Sequence, residues 1–187
     1  VDQVAQRGVA GGDDRRDAVR RLLRHGGFKP AGRNKPAQEY LLRTAGDPAA
    51  FPSIWNAVDV LKGVSLKSGL PISLVAVARV ASPLQIRYGR TGERFVFNRS
   101  GQELNLAGLI CLCGRDAADV LPAGTPVKDS MNAKVTEDDR HVLACIYAPR
   151  SSVPAGELLR WAEELAGSFQ RWCQAGEVRA WLEPSDW

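Results

Sequence analysis

The sequence has 187 residues, of which 44% are hydrophobic and 25% are charged. This composition is typical of an ordinary globular domain, and it excludes a disordered chain, a collagen-like repeat and a cysteine-rich secreted scaffold. No apolar run approaches the roughly 20 residues that a transmembrane helix needs, and the polar residues after Val1 predict no signal peptide. We therefore expect a cytoplasmic protein with no membrane partner.

Basic residues are concentrated in the first 43 positions, which carry a net charge of +5, whereas the whole chain carries +4. Such an arm can bind a phosphate backbone through counterion release, but a solvated helix face has the same composition. Both interpretations stay open at this point. If the arm contacts nucleic acid, the candidate residues are Arg15, Arg16, Arg20, Arg21, Arg24, Lys29, Arg33 and Lys35.

Three helices are predicted in the first 70 residues, because apolar residues recur there at helical spacing between capping and breaking residues. Their expected ranges are about 14–24, 36–45 and 52–67. The apolar faces are Val19, Leu22 and Leu23 in the first helix, Ala37, Tyr40 and Leu41 in the second, and Ile54, Val58 and Leu61 in the third.

The apolar period then changes to two, which predicts strands. The expected strands are 72–80, 84–88, 94–97, 109–113 and 142–147, with a turn at 90–93, and a final amphipathic helix follows at 154–174. The fold class is therefore α+β, a β-rich mixed core bracketed by helices. We expect a basic helix and linker over residues 1–34, a core over 35–150, and a C-terminal helix and tail over 151–187, together forming a single globular domain.

The cysteines and histidines give no sign of a metal or catalytic site. Zinc ligands come as closely spaced pairs that usually include histidine, and neither histidine is placed to help. We therefore expect no metal and no cofactor, buried structural thiols, and histidines at the surface. The sequence contains no nucleophile elbow, P-loop, zincin motif or dinucleotide fingerprint. The residues concerned are Cys111, Cys113, Cys145, Cys173, His25 and His141.

One pattern, distributed over several segments, is more informative about fold and function. The helix-to-strand passage reads Ile54-Trp55-Asn56-Ala57-Val58-Asp59 and then Gly69-Leu70-Pro71-Ile72, and Arg87 is followed by a Gly92-Glu93 turn. This pattern resembles the B3/B4 domain of the phenylalanyl-tRNA synthetase β chain, and it is closer still to free-standing proteins that carry this domain. Further similar stretches are 35–43 and 124–143, so that the resemblance spans about residues 35–150.

The resemblance implies a β-rich core with helices packed around it, and a pocket that binds tRNA-linked amino acid. In the synthetase this domain hydrolyses tyrosine misattached to the phenylalanine tRNA. That chemistry depends on positioning an ester and a water more than on a strong base. Asn56 and Asp59 match the family pattern.

Three positions depart from the family pattern. Ser73 stands where the synthetase has a histidine, Ala76 stands where it has an acid, and Lys134 lies at or near the glutamate that recognises the tyrosine hydroxyl. A cation in place of a hydrogen-bond acceptor changes the preference of a pocket strongly. Specificity for tyrosine is therefore not expected.

The candidate pocket combines matched positions with neighbouring polar residues: Trp55, Asn56, Ser68, Ser73, Arg87, Glu93, Lys128, Ser130, Asn132, Lys134 and Thr136. Trp55 is a candidate stacking wall. Positions 128, 130, 132 and 134 alternate, so an extended segment would place them on one face, either as an anion or phosphate site or as a solvated surface. Arg87 and Glu93 are pocket residues or only a cross-strand ion pair. The catalytic residues are not identified.

The expected function is binding of tRNA or aminoacyl-tRNA, with hydrolysis of a mischarged aminoacyl-tRNA in trans. The alternative is a non-catalytic module of the same fold that binds an amino acid, a small anion or a protein partner. A third option is that the chain is one domain of a larger polypeptide.

Overall fold

The computed structural model describes residues 10–45, 56–116 and 119–183. Its helices are α1 (Gly12–Arg24), α2 (Ala37–Ala45), α3 (Asn56–Ser68) and α4 (Ala155–Cys173). Its strands are β1 (Ile72–Ala76), β2 (Ala81–Tyr88), β3 (Arg94–Val96), β4 (Glu103–Asn105), β5 (Ile110–Asp116), β6 (Asp119–Gly124) and β7 (Val142–Ile146). The predicted α+β class is confirmed.

The chain divides into two compact units. Of the described residues, the first comprises 10–19, 38–45, 56–70 and 146–183, and the second comprises 20–37, 71–116 and 119–145. The predicted segment boundaries after residues 34 and 150 stay a prediction.

In the first unit, α3 packs against α4. The apolar faces of these helices bury Leu61, Val64, Leu165 and Phe169, because their spacing places them on one side of each helix. Helix α4 has the extent that the sequence predicts, within one residue at each end. The apolar faces of these two helices are thus removed from water and form the core of the first unit.

Arg15 is a buried cation at the centre of the first unit, and its side chain is only 6% exposed. Its guanidinium donates to the main-chain oxygen of Ser68 at 2.9 Å and forms an ion pair with Glu157 at 2.8 Å. A second hydrogen bond runs to the oxygen of Ser152 at 3.4 Å. A buried charge persists only when it is paired and hydrogen-bonded, and these contacts provide both.

The second unit contains three small sheets. Strands β2, β5 and β6 form an antiparallel sheet with β5 in the centre, β3 pairs with β4, and β1 pairs with β7. The apolar core of this unit includes Val75, Val80, Leu112, Ala123 and Ala133.

Several expectations are corrected. Residues Val77–Arg79 form a 3₁₀ turn, so the predicted strand 72–80 ends at Ala76. The predicted turn at 90–93 is present, with the Glu93 nitrogen donating to the Arg90 oxygen, and it joins strands of two different sheets because β2 pairs with β5 and β3 with β4. Tyr40 is 52% exposed and Gln38 is the buried residue of α2, so the apolar face assigned to that helix is wrong. Strands β4 and β6 were not predicted.

Across the described residues, no helix is both long and apolar enough to cross a membrane.

The Arg15 contacts predict a large cost for removing this side chain. We expect Arg15→Leu to lower the free energy of unfolding by about 2–3 kcal/mol, since it removes the donor to the Ser68 carbonyl and leaves Glu157 with the hydrogen bond from Trp161 Nε1. Arg16→Leu is the matched control, because Arg16 is 42% exposed and pairs with exposed acids, and we expect it to cost less than about 0.5 kcal/mol. Urea denaturation followed by circular dichroism measures both. Equal losses would contradict the structural role of Arg15.

Candidate functional site

Two predicted pocket residues lie partly or wholly outside the described structure. Trp55 is outside it, and Asn56 is described only as the first residue of α3. The proposed stacking wall therefore stays a prediction.

Asp59 and Ser68 lie on α3. Their side chains form hydrogen bonds with residues of that helix or of the turn that follows it. Asp59 accepts a hydrogen bond from Lys62 Nζ at 3.0 Å. Ser68 is fully buried, and its Oγ accepts from the Leu70 nitrogen at 3.2 Å. The Ser65 hydroxyl donates to the oxygen of Leu70 at 2.7 Å. Ser68 thus helps to end α3, where main-chain groups lose their helical partners.

Arg87 and Glu93 form a two-point ion pair. The two guanidinium nitrogens lie 2.8 and 2.6 Å from the two carboxylate oxygens, and the Arg90 nitrogen also donates to Glu93, at 2.8 Å. Each side chain is 15% exposed. The hydrogen bonds from Arg87 hold the pKa of Glu93 below its usual value. The pair thus fixes the turn after β2, as expected of forked Arg–carboxylate contacts.

The predicted alternation over residues 128–134 does not occur, because the segment is not extended. Ser130 accepts a hydrogen bond from the Asn132 nitrogen and starts a 3₁₀ turn over Met131–Ala133. Ser130 is buried, whereas Asn132 and Lys134 are exposed. A serine side chain that captures a nearby N–H competes with extended structure.

Thr136 belongs to a surface network. Its Oγ1 donates to Asp139 Oδ2 at 2.9 Å, and Arg79 donates to the same oxygen at 2.8 Å. The hydrogen bond from Arg79 lowers the pKa of Asp139. Arg79 also donates to the main-chain oxygen of Lys134.

A polar centre forms around Asp129, a residue outside the predicted pocket. Its Oδ2 accepts a hydrogen bond from the Leu74 nitrogen at 3.1 Å. Its Oδ1 is buried and has no hydrogen-bond partner. Burial raises the pKa of Asp129 to about 7, so both protonation states are populated at neutral pH.

Ser73 lies beside the same carboxylate. A Cβ placed on Gly124 would be 2.7 Å from Ser73 Oγ and 3.2 Å from Asp129 Oδ1. Ser73 Oγ and Asp129 Oδ1 are therefore separated by no more than the sum of these two distances. Only glycine fits at position 124 beside them. Ser73 itself is buried.

Two lysines complete this group. Lys128 Nζ lies 5.5 Å from the centroid of the Phe97 ring, and burial lowers the pKa of Lys128, with a further contribution from Lys134. Two neighbouring ammonium groups favour an anion between or beside them. Ser73, Gly124, Lys128, Asp129 and Lys134 are called the Asp129 centre below.

The basic residues near the N-terminus divide into structural and exposed ones. Arg15 is buried in its ion pair, so its assignment as a nucleic-acid contact is corrected. Arg16 pairs with Asp13 and Asp17, at 2.9 and 3.6 Å. Arg20 and Lys35 are half-buried. Of the candidate nucleic-acid contacts, Arg21, Arg24, Lys29 and Arg33 are exposed.

These four exposed cations lie in a stretch without acids. Residues 20–37, called the basic segment, contain six Lys or Arg and no Asp or Glu. Arg24 and Lys29 line a shallow groove of about 290 Å³ together with Phe28 and Pro30. An exposed positive surface of this kind attracts polyanions.

The thiols are poor candidates for nucleophilic chemistry. Burial raises the pKa of Cys111 to about 12 and that of Cys113 to about 11, so both are protonated at neutral pH. None of the four cysteines forms a disulfide. Within residues 10–45, 56–116 and 119–183 there is no group of three or more His, Cys, Asp or Glu suited to a metal ion.

The sequence matches no protein-family model and no curated protein. The resemblance to the B3/B4 domain therefore stays a prediction.

The raised pKa of Asp129 predicts a pH-dependent stability. The unfolded carboxyl, with a pKa of 3.8, loses its proton at a lower pH than the folded carboxyl, with a pKa of about 7. Folding therefore binds a proton in this window, and this group lowers stability as pH rises from about 4 to 7. Asp129→Asn removes that cost and keeps an acceptor for the Leu74 nitrogen.

We expect Asp129→Asn to be as stable as the wild type near pH 4 and more stable above pH 7.5, by a few kcal/mol at about 1.4 kcal/mol for each pKa unit. Urea midpoints at pH 4, 6 and 8 measure the difference. Asp138→Asn, at an exposed position, is the control. A difference that does not vary with pH would mean that the Asp129 carboxyl is not kept neutral by burial.

Proposed function

We propose that this chain binds tRNA or aminoacyl-tRNA through its basic segment and hydrolyses the ester of a mischarged aminoacyl-tRNA in trans. The observation that carries the proposal is the acid-free segment 20–37 with its four exposed cations. Phosphate groups are the polyanion that such a surface suits best, and each neutralised phosphate releases counterions. The resemblance to the B3/B4 domain supports tRNA as the nucleic acid.

The Asp129 centre supports the ester chemistry. In the proposed step, a water oxygen attacks the ester carbonyl carbon while Asp129 accepts the water proton. The bond between this carbon and the ribose oxygen then breaks, and the ribose oxygen takes up a proton. A pKa of about 7 suits a group that accepts and returns protons at neutral pH. Lys128 and Lys134 would favour the negative charge that develops on the carbonyl oxygen.

Binding is tested by a charge-matched pair of variants. We expect replacement of Arg21, Arg24, Lys29 and Arg33 by Gln to weaken tRNA binding strongly at low salt and to reduce the salt slope by about one for each lost phosphate contact. The control replaces Arg99, Arg140, Arg160 and Arg171, which are also exposed. Fluorescence anisotropy with labelled tRNA across a salt series measures both variants. Equal weakening in the two variants would refute a localised site.

Hydrolysis is tested on a panel of mischarged tRNAs. We expect one ester to be hydrolysed selectively, at a rate that rises with pH and levels off above about pH 7 as Asp129 becomes ionised. Spontaneous hydrolysis by hydroxide rises without a plateau, so the two processes are separable. Asp129→Asn should reduce the rate about 100-fold or more and leave tRNA binding unchanged.

The second candidate function is a non-catalytic module. The enclosure of the centre favours it, because Ser73 and Ala76 are buried and Asp129 Oδ1 is shielded from solvent. The ligand would be an amino acid or small anion at Lys128 and Lys134, or a protein partner. Salt-sensitive tRNA binding without hydrolysis of any ester would leave a tRNA-binding module without chemistry. Absence of both activities would favour the small anion or the protein partner.

A further inference from the structure

The basic segment contacts an exposed aromatic side chain through His25. His25 follows α1, and its ring centroid lies 6.2 Å from that of Tyr88, with 35° between the ring planes. Tyr88 is the last residue of β2 and is 43% exposed. His25 is also exposed. Both residues belong to the second unit, as does the whole basic segment.

In this aromatic pair, His25 and Tyr88, the main chain restrains the Tyr88 ring. A Cβ on Gly26 would lie 2.6 Å from Tyr88 Cδ1 and 2.2 Å from the main-chain oxygen of Gly108. Such close approach is possible only at glycine, so one edge of the Tyr88 ring rests directly on the backbone. A ring whose edge is held in this way loses little further conformational freedom when a ligand stacks on its exposed face.

The exposed surface continues along β2. Ile86 and Tyr88 are 51% and 43% exposed, and their spacing of two within the regularly paired part of the strand places them on one face; Leu84, 42% exposed, lies at the irregularity between Ala81 and Gln85. The intervening Arg87 is held in its ion pair with Glu93. This side of β2 therefore presents an apolar strip that begins at the aromatic pair and the adjacent cations.

Aromatic rings beside backbone-binding cations are the features by which proteins hold unpaired nucleotides, because every base has a face that stacks. A duplex buries its base faces and offers only phosphates and groove edges. Arg24 precedes His25 directly, and Lys29 is four residues beyond it, so phosphate and base contacts are available together. Charge therefore favours nucleic acid over a protein partner as the occupant of the strip.

We propose that His25 and Tyr88 form a stacking platform for unpaired nucleotides of an RNA whose phosphates contact Arg24 and Lys29. This inference rests on the proposed function and specifies which part of the RNA is held. It predicts a preference for single strands over duplexes that charge alone would not produce.

The test compares a labelled, unstructured 12-nucleotide RNA with a 12-base-pair RNA duplex by fluorescence anisotropy. We expect the wild type to bind the single strand more tightly. Tyr88→Ala should weaken binding of the single strand about tenfold or more and leave duplex binding within twofold, since it removes a stacking face and no charge. The slope of affinity against salt should not change. Tyr88→Phe should retain wild-type affinity.

His25→Ala is the second variant, because His25 is at the surface and its loss does not threaten folding. We expect a loss of several-fold for the single strand only. Circular dichroism and a urea midpoint confirm the fold of each variant. If Tyr88→Ala is unfolded, the comparison rests on His25→Ala against His25→Phe.

The outcomes separate the two proposals. A wild type that binds no RNA refutes the proposed function and this inference with it. A wild type that binds RNA in a salt-sensitive way, but with equal losses for single strand and duplex in the variants, refutes the platform alone. A change in the sedimentation mass of the free protein on Tyr88→Ala would make the strip a contact between copies of this chain, and would also overturn the platform.

Discussion

The hydrogen bond from the Leu74 nitrogen to Asp129 is the constraint that organises the second unit around its polar centre. It ties a buried strand, β1, to the segment that follows β6. The carboxylate is buried to make this contact, and burial raises its pKa to about 7. Position 124 must then be glycine, because Ser73 and Asp129 occupy the space that a side chain would need. The buried Asp129 carboxyl thus bears on both the residue type at position 124 and a protonation equilibrium near neutral pH.

The cations of this chain fall into two groups with different physical roles. Arg15, Arg79 and Arg87 donate hydrogen bonds to main-chain oxygens and to carboxylates, so their charges hold local structure. Arg21, Arg24, Lys29 and Arg33 are exposed in a segment without acids. Paired charges contribute little to long-range attraction because their fields cancel, whereas the exposed group keeps its field. The net charge of the sequence does not distinguish the paired cations from the exposed ones.

Much of the fold follows from local pattern, and most of the site does not. Helices α1 and α4 were predictable because each has a complete apolar face and a clear end signal. Strands β4 and β6 were missed because they are short and lack a clean alternation. Asp129 could not be selected, because its importance comes from contacts with residues about fifty positions away. Its only local signal was its place between the predicted residues Lys128 and Ser130.

Binding and ester chemistry impose opposite demands on their residues. Phosphate contacts need exposed cations that release counterions on association, and the basic segment carries four exposed cations. Proton transfer near neutral pH needs a carboxyl removed from water, because an exposed aspartate is ionised at that pH and is a weak base. Asp129 meets this need through burial, at a cost in stability that increases with pH. The carboxyl carries a stability cost that an asparagine, which would keep the Leu74 hydrogen bond, does not carry, and the proposed ester chemistry is a role that uses this carboxyl.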